Sequence, residues 1–232
     1  MINMRKINLA LLLICFTTLT FGQTELQNLT VESLSNPIGI DIKTPRFSWQ
    51  LVSKVRDTKQ TAYEIEVKEG NKTVWSSGKV ATEKSIFNKY AGSPLVSIEK
   101  YTWKVRVWDN RGRSSKWANA TFGTSFLNAS DWKATWISSG IEGDTVNGIV
   151  PIFRKSFSIN KKITSAKVYA TSRGLYDIRI NGKRMGDSYL SPGWTSYNKH
   201  LQYQTYDVSD MLSEGKNAIG ALLGSGWYRT TL

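Results

Sequence analysis

The chain has 232 residues, 40% of them hydrophobic and 21% charged, with a formal net charge of +13 and a single cysteine, Cys15. That length fits two domains with cores of their own, and one cysteine excludes a disulfide framework or a thiolate metal centre. The basic excess raises nucleic-acid binding as a question. Lys and Arg are spread over both halves with no run and no recognition-helix pattern, so a clustered phosphate footprint is not expected.

Residues 1–22 place Arg5 and Lys6 before the apolar run LALLLICFTTLTFG, the pattern of a secretory leader. The run is too short for a spanning helix. Cleavage is expected after Gly22, with export to the periplasm or the exterior and no membrane association afterwards. Ile14 stands where a lipid-modified cysteine needs a small neighbour, so Cys15 is not read as an anchor.

Beyond the leader, period-two alternation recurs and helical periodicity is nearly absent, which predicts an all-β protein. In AYEIEV, Tyr63, Ile65 and Val67 face one way and Glu64 and Glu66 the other. In YTWKVRVW, Tyr101, Trp103, Val105 and Val107 share a face. Trp49 and Trp103 are expected in the core. Turn signals EGN and DNRG separate short strands, as in a seven-strand sandwich. The stretch from Leu95 to Trp117 resembles a fibronectin type III domain, with Leu95 and Tyr101 where that family keeps its leucine and its tyrosine corner. Residues 23–126 are therefore expected to form a fibronectin type III/Ig-like sandwich, a spacer or packing module.

A second composition begins at SDWKATWISS and predicts another domain over 130–232. In LYDIRI, Tyr176, Ile178 and Ile180 line one face, and Asn181-Gly182 supplies the positive-φ pair of a tight hairpin. TYDVSDMLSEGKNAIGALLG predicts a strand, a short helical turn capped by Ser209, a stop at Gly215 and another strand. This pattern resembles the jelly-roll sugar-binding domains of glycoside hydrolases. With Leu232 as its last residue, the jelly-roll is expected to be incomplete.

Taken in order, NPIGIDIKTPRFSWQL, YTWKVRVWDNRGRSSKW, DWKATWI, GLYDIRINGKRMGD, LSPGWTSYNKHLQYQTYDVSDML and GKNAIGALLGSGWY resemble the N-terminal part of bacterial α-L-rhamnosidases of glycoside hydrolase family 78, from about Asn36 to Trp227. The resemblance implies accessory β domains preceding an (α/α)6 barrel whose carboxylates release terminal L-rhamnose with inversion. Such hydrolysis needs an acid and a base on opposite sides of the bond. The barrel is missing from this chain, which is therefore expected to be inactive alone. Its implied partners are a rhamnose-containing carbohydrate and that C-terminal barrel.

Asp207, Asp210 and Glu214 cluster, but DVSDMLSEG reads as a helix start that acidic side chains favour. No catalytic residue is assigned. His200 has no metal-ligand spacing around it. Asn28, Asn71, Asn119 and Asn128 each begin an N-x-Ser/Thr triplet, which matters only in a glycosylating host.

The loop after the hairpin holds Tyr189, Trp194 and Tyr197. Sugar sites pair an aromatic platform with polar groups that fix orientation, and Trp194 and Tyr197 with Asp177, Arg179 and Asn181 supply that vocabulary. The other reading has Trp194 and Tyr189 capping the open end of the sandwich. The cap is expected, because residues between Pro192 and Tyr197 are small or polar apart from Trp194. No cofactor is expected, with one exception that the resemblance implies: some accessory domains of the family bind rhamnose through calcium. Asp177, Asn181 and carbonyls near Ser225 are the candidate oxygen donors. Three alternatives stand beside this reading: a stand-alone carbohydrate-binding protein, a fibronectin-type interaction module, and the accessory region of another hydrolase such as a β-galactosidase-like enzyme.

Overall fold

The computed structural model describes residues 24–140 and 149–229, so the leader assigned to residues 1–22 lies outside the described residues. The contacts divide the chain into two compact units. The first holds residues 24–36, Thr44–Pro94 and Tyr101–Phe122; the second holds Pro37–Lys43, Leu95–Lys100 and the described residues from Gly123 onward.

The strands of the first unit are β1 (Glu25–Val31), β2 (Arg46–Val52), β3 (Gln60–Glu69), β4 (Lys72–Ser76), β5 (Val80–Ala81), β6 (Asn88–Lys89), β7 (Lys100–Asp109) and β8 (Ala118–Gly123). One sheet runs β1-β2-β6 and the other β4-β3-β7-β8, with β5 paired to β3. This is an immunoglobulin-like sandwich, and alternation decides which side chains fill it. Tyr63, Ile65 and Val67 of β3 and Tyr101, Trp103, Val105 and Val107 of β7 are buried as expected, as are Phe47 and Trp49 of β2. Phe47 joins the sheets, with its ring 4.7 Å from Trp103 and 5.9 Å from Phe122.

Two buried polar groups are satisfied in this core. Trp49 Nε1 donates to Gln60 Oε1 at 2.9 Å, and Gln60 Nε2 donates to the carbonyls of Thr82 and Lys84. Asp109 closes the DNRG turn: its Oδ1 accepts from the amides of Arg111 and Arg113, and its Oδ2 accepts from Arg113 Nε, each at 2.9 Å. Burial opposes ionisation of Asp109, but the Arg113 and Arg111 hydrogen bonds and the Arg113 charge outweigh it and hold the carboxyl below its ordinary value. On the outer sheet face Glu64 pairs with Arg106 and Glu66 with Lys68 and Lys104. Arg106 lies over the rings of both Trp108 and Trp117 there.

The second unit contains β9 (Ile152–Ile159), β10 (Lys167–Ala170), β11 (Leu175–Ile180), β12 (Lys183–Arg184), β13 (Gln204–Asp207) and β14 (Gly215–Gly224). A four-stranded sheet runs β12-β11-β14-β9 and a two-stranded sheet pairs β10 with β13. Between them Ile180, Met185 and Val208 are buried, with Val168, Ile178, Tyr206 and Ile219 packed around. Beyond this core the inner face is less covered: Phe153, Phe157 and Ile159 of β9 are only half-buried, while Ile152, opposite Leu222 on the outer side, is 71% exposed. Lys155 also stands on the inner side, opposite Ile219. An inward-pointing charge on an edge strand discourages sheet-to-sheet pairing.

The turn after β13 differs from expectation. It is a single 3-10 turn, Ser209–Met211, and the acceptor is Asp207, whose Oδ1 takes hydrogen bonds from the amide and hydroxyl of Ser209. Ser209 is thus the first residue of the turn and a donor rather than its cap; the N-cap position is Val208, and the Asp207 carboxylate just before it takes the free amide. Gly215, with φ +85°, opens β14.

Two outcomes follow from these cores. Ile65→Ala should destabilise the first unit by about 2–5 kcal/mol, whereas Ile152→Ala should stay within about 0.5 kcal/mol; urea denaturation followed by tryptophan fluorescence measures both. A depressed carboxylate contributes stability that is whole above its unfolded pKa of about 4 and is lost as pH falls through the lower folded value. The first unit should therefore lose stability below about pH 4, and Asp109→Asn should flatten that acid limb while lowering the urea midpoint at neutral pH.

Candidate functional site

The candidate residues begin on the β11–β12 hairpin. Asn181 (φ +51°) and Gly182 (φ +82°) form its two-residue turn, as the sequence predicts, with Ile180 opposite Lys183. Asp177 lies on the outer face between two guanidinium groups: Arg179 Nε at 3.0 Å from Oδ1 and Arg184 Nε at 3.3 Å from Oδ2. Asn181 is spent on the fold. Its Nδ2 donates to Asn217 Oδ1 and to the Met211 carbonyl, and its Oδ1 accepts from the Ala218 amide.

The aromatic loop is tied down by its backbone. The Tyr176 amide donates to the Ser191 carbonyl, and Gln204 Nε2 donates to the Pro192 carbonyl. Trp194 needs to anchor nothing, and it is 61% exposed; Tyr189 is 81% exposed. The expected cap is therefore corrected. Trp194 stacks on Trp227, with centroids 6.2 Å apart and planes at 23°, while Tyr189 lies under the Arg184 guanidinium at 4.4 Å. Tyr197 meets the Tyr228 ring edge-on at 5.6 Å, and its hydroxyl is buried without a hydrogen-bond partner among the described residues. Arg173 lies over Tyr228 and Trp136 and donates to the Tyr228 hydroxyl.

The five sequence candidates do not share one set of contacts. Asp177 and Arg179 pair, but Trp194 and Tyr197 pack on Trp227 and Tyr228, which follow the end of β14 opposite Leu175. Asn181 sits at the other end of β11, about 20 Å along an extended strand from Leu175. Trp227, Tyr228, Arg173 and Arg184 belong to the two clusters and were missed by sequence reasoning. Only the pairing of β11 with β14 and β12 brings them in, and strand register is not written in any one segment.

The calcium donors do not fit. Calcium needs several free oxygen ligands, whereas Asp177 is neutralised by two arginines that would repel a cation, and Asn181 uses both ends of its amide internally. Among the described residues no group of three or more His, Cys, Asp or Glu side chains gathers.

Nor do the acidic residues form a hydrolytic pair. A general acid needs a raised pKa, but the Ser209 hydroxyl and amide hold the Asp207 carboxyl below its ordinary value against burial, with Lys167 adding to the effect. Asp210 and Glu214 are exposed.

Comparison with known proteins extends the picture. Residues 26–128 match the family model described as Rha78A-like, N-terminal immunoglobulin domain, and residues 161–232 match the Alpha-L-rhamnosidase N-terminal domain. A curated alpha-L-rhamnosidase of Formosa agariphila is 35% identical over 219 residues, which cover 88% of this chain and 24% of the relative. The solved structure of alpha-L-rhamnosidase from Dictyoglumus thermophilum aligns with a TM-score of 0.80 at 40% identity, covering 88% of this chain and 25% of that one. That of the Aspergillus terreus enzyme aligns with a TM-score of 0.76 at 34% identity, covering 88% and 24%. The chain thus spans about a quarter of the length of the relatives it matches. An immunoglobulin-like domain followed by the rhamnosidase N-terminal domain, in the same order and at this identity, places the chain in the α-L-rhamnosidase family as an N-terminal region of it.

Proposed function

We propose that this chain is the accessory, non-catalytic region of an exported α-L-rhamnosidase that removes terminal α-L-rhamnose from glycans or glycosides with inversion. The observation that carries this reading is the joint match of both domains, in order, to about a quarter of named α-L-rhamnosidases. Its complement is chemical: the acidic side chains described above are committed to ion pairs or turns, or stand singly in solvent. Protonating a leaving group and activating water across one sugar ring asks for two convergent carboxyls. On this reading the two carboxyls are supplied from outside this stretch. The leader read at residues 1–22 supports export.

Carbohydrate binding is the second reading, and the exposure of Trp194 favours it. Its ring is held parallel to Trp227 and offers its remaining surface to solvent, an arrangement that suits the apolar C–H face of a sugar. Asp177 and Arg179 are engaged with each other and with Arg184, so the platform is Trp194 with Tyr197 and Tyr228 beside it.

The purified chain should release no 4-nitrophenol from 4-nitrophenyl α-L-rhamnoside above the buffer background, and turnover abolished by Asp207→Asn would overturn the accessory reading. Trp194→Ala should melt within a few degrees of wild type, since an exposed ring contributes little to the core. If Trp194 is the platform, L-rhamnose should shift the tryptophan fluorescence of the wild type and not of Trp194→Ala; a melting temperature lowered as by a large core truncation would restore the cap.

A further inference from the structure

The outer face of the four-stranded sheet carries a feature that the accessory reading leaves unused. Directly opposed residues of antiparallel strands point to the same side, so the register assigns every side chain to a face. Tyr176, Ile178 and Ile180 of β11 stand opposite Leu223, Ala221 and Ile219 of β14 on the inner side. The outer side then holds Asp177 and Arg179, Lys216, Ala218 and Gly220, and Arg154, Ser156 and Ser158 of β9, with the exposed apolar pair Ile152 and Leu222 in the row beside Asp177.

One row crosses the whole sheet. Arg154 is opposite Gly220, Gly220 opposite Arg179, and Arg179 opposite Arg184. Gly220 puts no side chain between the first two arginines, and Ala218 next along β14 puts only a methyl. The floor there is backbone, with cations on both sides. A depression on this face is lined by Arg154, Ser156, Ser158, Asn181, Lys216 and Ala218. Strands about 4.8 Å apart set the Arg154 and Arg179 backbones about 10 Å from each other, a spacing that alternate residues of an extended pyranose chain match.

The charge of the face is one-sided. Asp177 is the only carboxylate that these four strands contribute, and it is already shared by Arg179 and Arg184. Among the described residues Arg154 and Lys216 pair with no carboxylate. Guanidinium groups bind carboxylate or sulfate oxygens through paired N–H donors, and the hydroxyls of Ser156 and Ser158 are placed for the neutral hydroxyls of a sugar. Exposed aromatic rings, which a single-stranded nucleic acid uses for base stacking, are absent from these strands on this face.

We propose that this face binds an acidic polysaccharide through its carboxylate or sulfate groups, with Arg154 and Lys216 as the free cationic contacts and Arg179 as the opposing wall. The inference rests on the glycoside-hydrolase reading and narrows its substrate to glycans that carry anionic groups.

Affinity electrophoresis of the full chain tests it, in gels containing polygalacturonate, dextran sulfate or neutral dextran, with double-stranded DNA as competitor. Retardation by polygalacturonate, dextran sulfate or both, and none by dextran, is expected; the two gels tell carboxylate from sulfate. The double variant Arg154→Ala/Lys216→Ala should bind about tenfold more weakly, as loss of hydrogen bonds to a charged group implies, with an unchanged melting temperature. Lys72→Ala/Lys89→Ala, which removes equal charge from the first unit, should bind like wild type. Equal weakening by both double variants, or undiminished binding by the first, overturns the site. DNA that displaces the glycan at equal charge concentration overturns the ligand class. Neither result touches the rhamnosidase assignment, which the nitrophenol assay tests separately.

Discussion

The register of β11 on β14 is the constraint on which the second unit depends. Side chains alternate along a strand with period two, so a slip of one residue would exchange its two faces. With Ile180 opposite Ile219 and Tyr176 opposite Leu223, the apolar set closes on Val168, Tyr206 and Val208. The same pairing sends Asp177 and Arg179 outward, aligns Arg154 with Arg184 across Gly220, and leaves Trp227 at the end of β14 where Trp194 can reach it. Asn181 and Asn217 lock it. Their side chains bond to each other and to the backbone of Met211, Ser213, Gly215 and Ala218, so a slipped strand would leave Asn217, which is buried, without partners.

The two units are stabilised unequally. The first buries Phe47, Trp49, Tyr101, Trp103 and Phe122 in one core and satisfies the Trp49 indole and the Gln60 amide within it. The second has a smaller core under its four-stranded sheet, with apolar β9 residues left half-covered. Large aromatic burial contributes most to a sandwich of this size, so the first unit draws more of its stability from a single core.

Much of this was legible in the chain. Alternation named the buried faces of β3, β7 and β11 residue by residue, and Asn181-Gly182 named the hairpin, because both signals are local. The order of motifs also carried the family. What failed was non-local. The supposed Trp194 cap came from counting apolar residues in one loop, without knowing that Tyr176 and Gln204 already hold that loop by its backbone carbonyls. The calcium donors were chosen by type, and the sequence could not show that Arg184, across the hairpin, occupies Asp177. The Ser209 cap failed more narrowly, since a competing acceptor two residues away was available. In each case the deciding partner was either distant in sequence or a backbone group.

Because the sheet register decides what each face presents, thiol accessibility is the most direct measurement. In a Cys15→Ser background, single cysteines at Arg179, Arg154, Ile180 and Ile219 can be labelled with a maleimide under native conditions. The register described here requires Arg179→Cys and Arg154→Cys to react as fast as in urea, and Ile180→Cys and Ile219→Cys to be protected until the domain unfolds. The reverse pattern, with cysteine at 180 labelled and at 179 protected, would contradict the face assignment and every functional reading built on it.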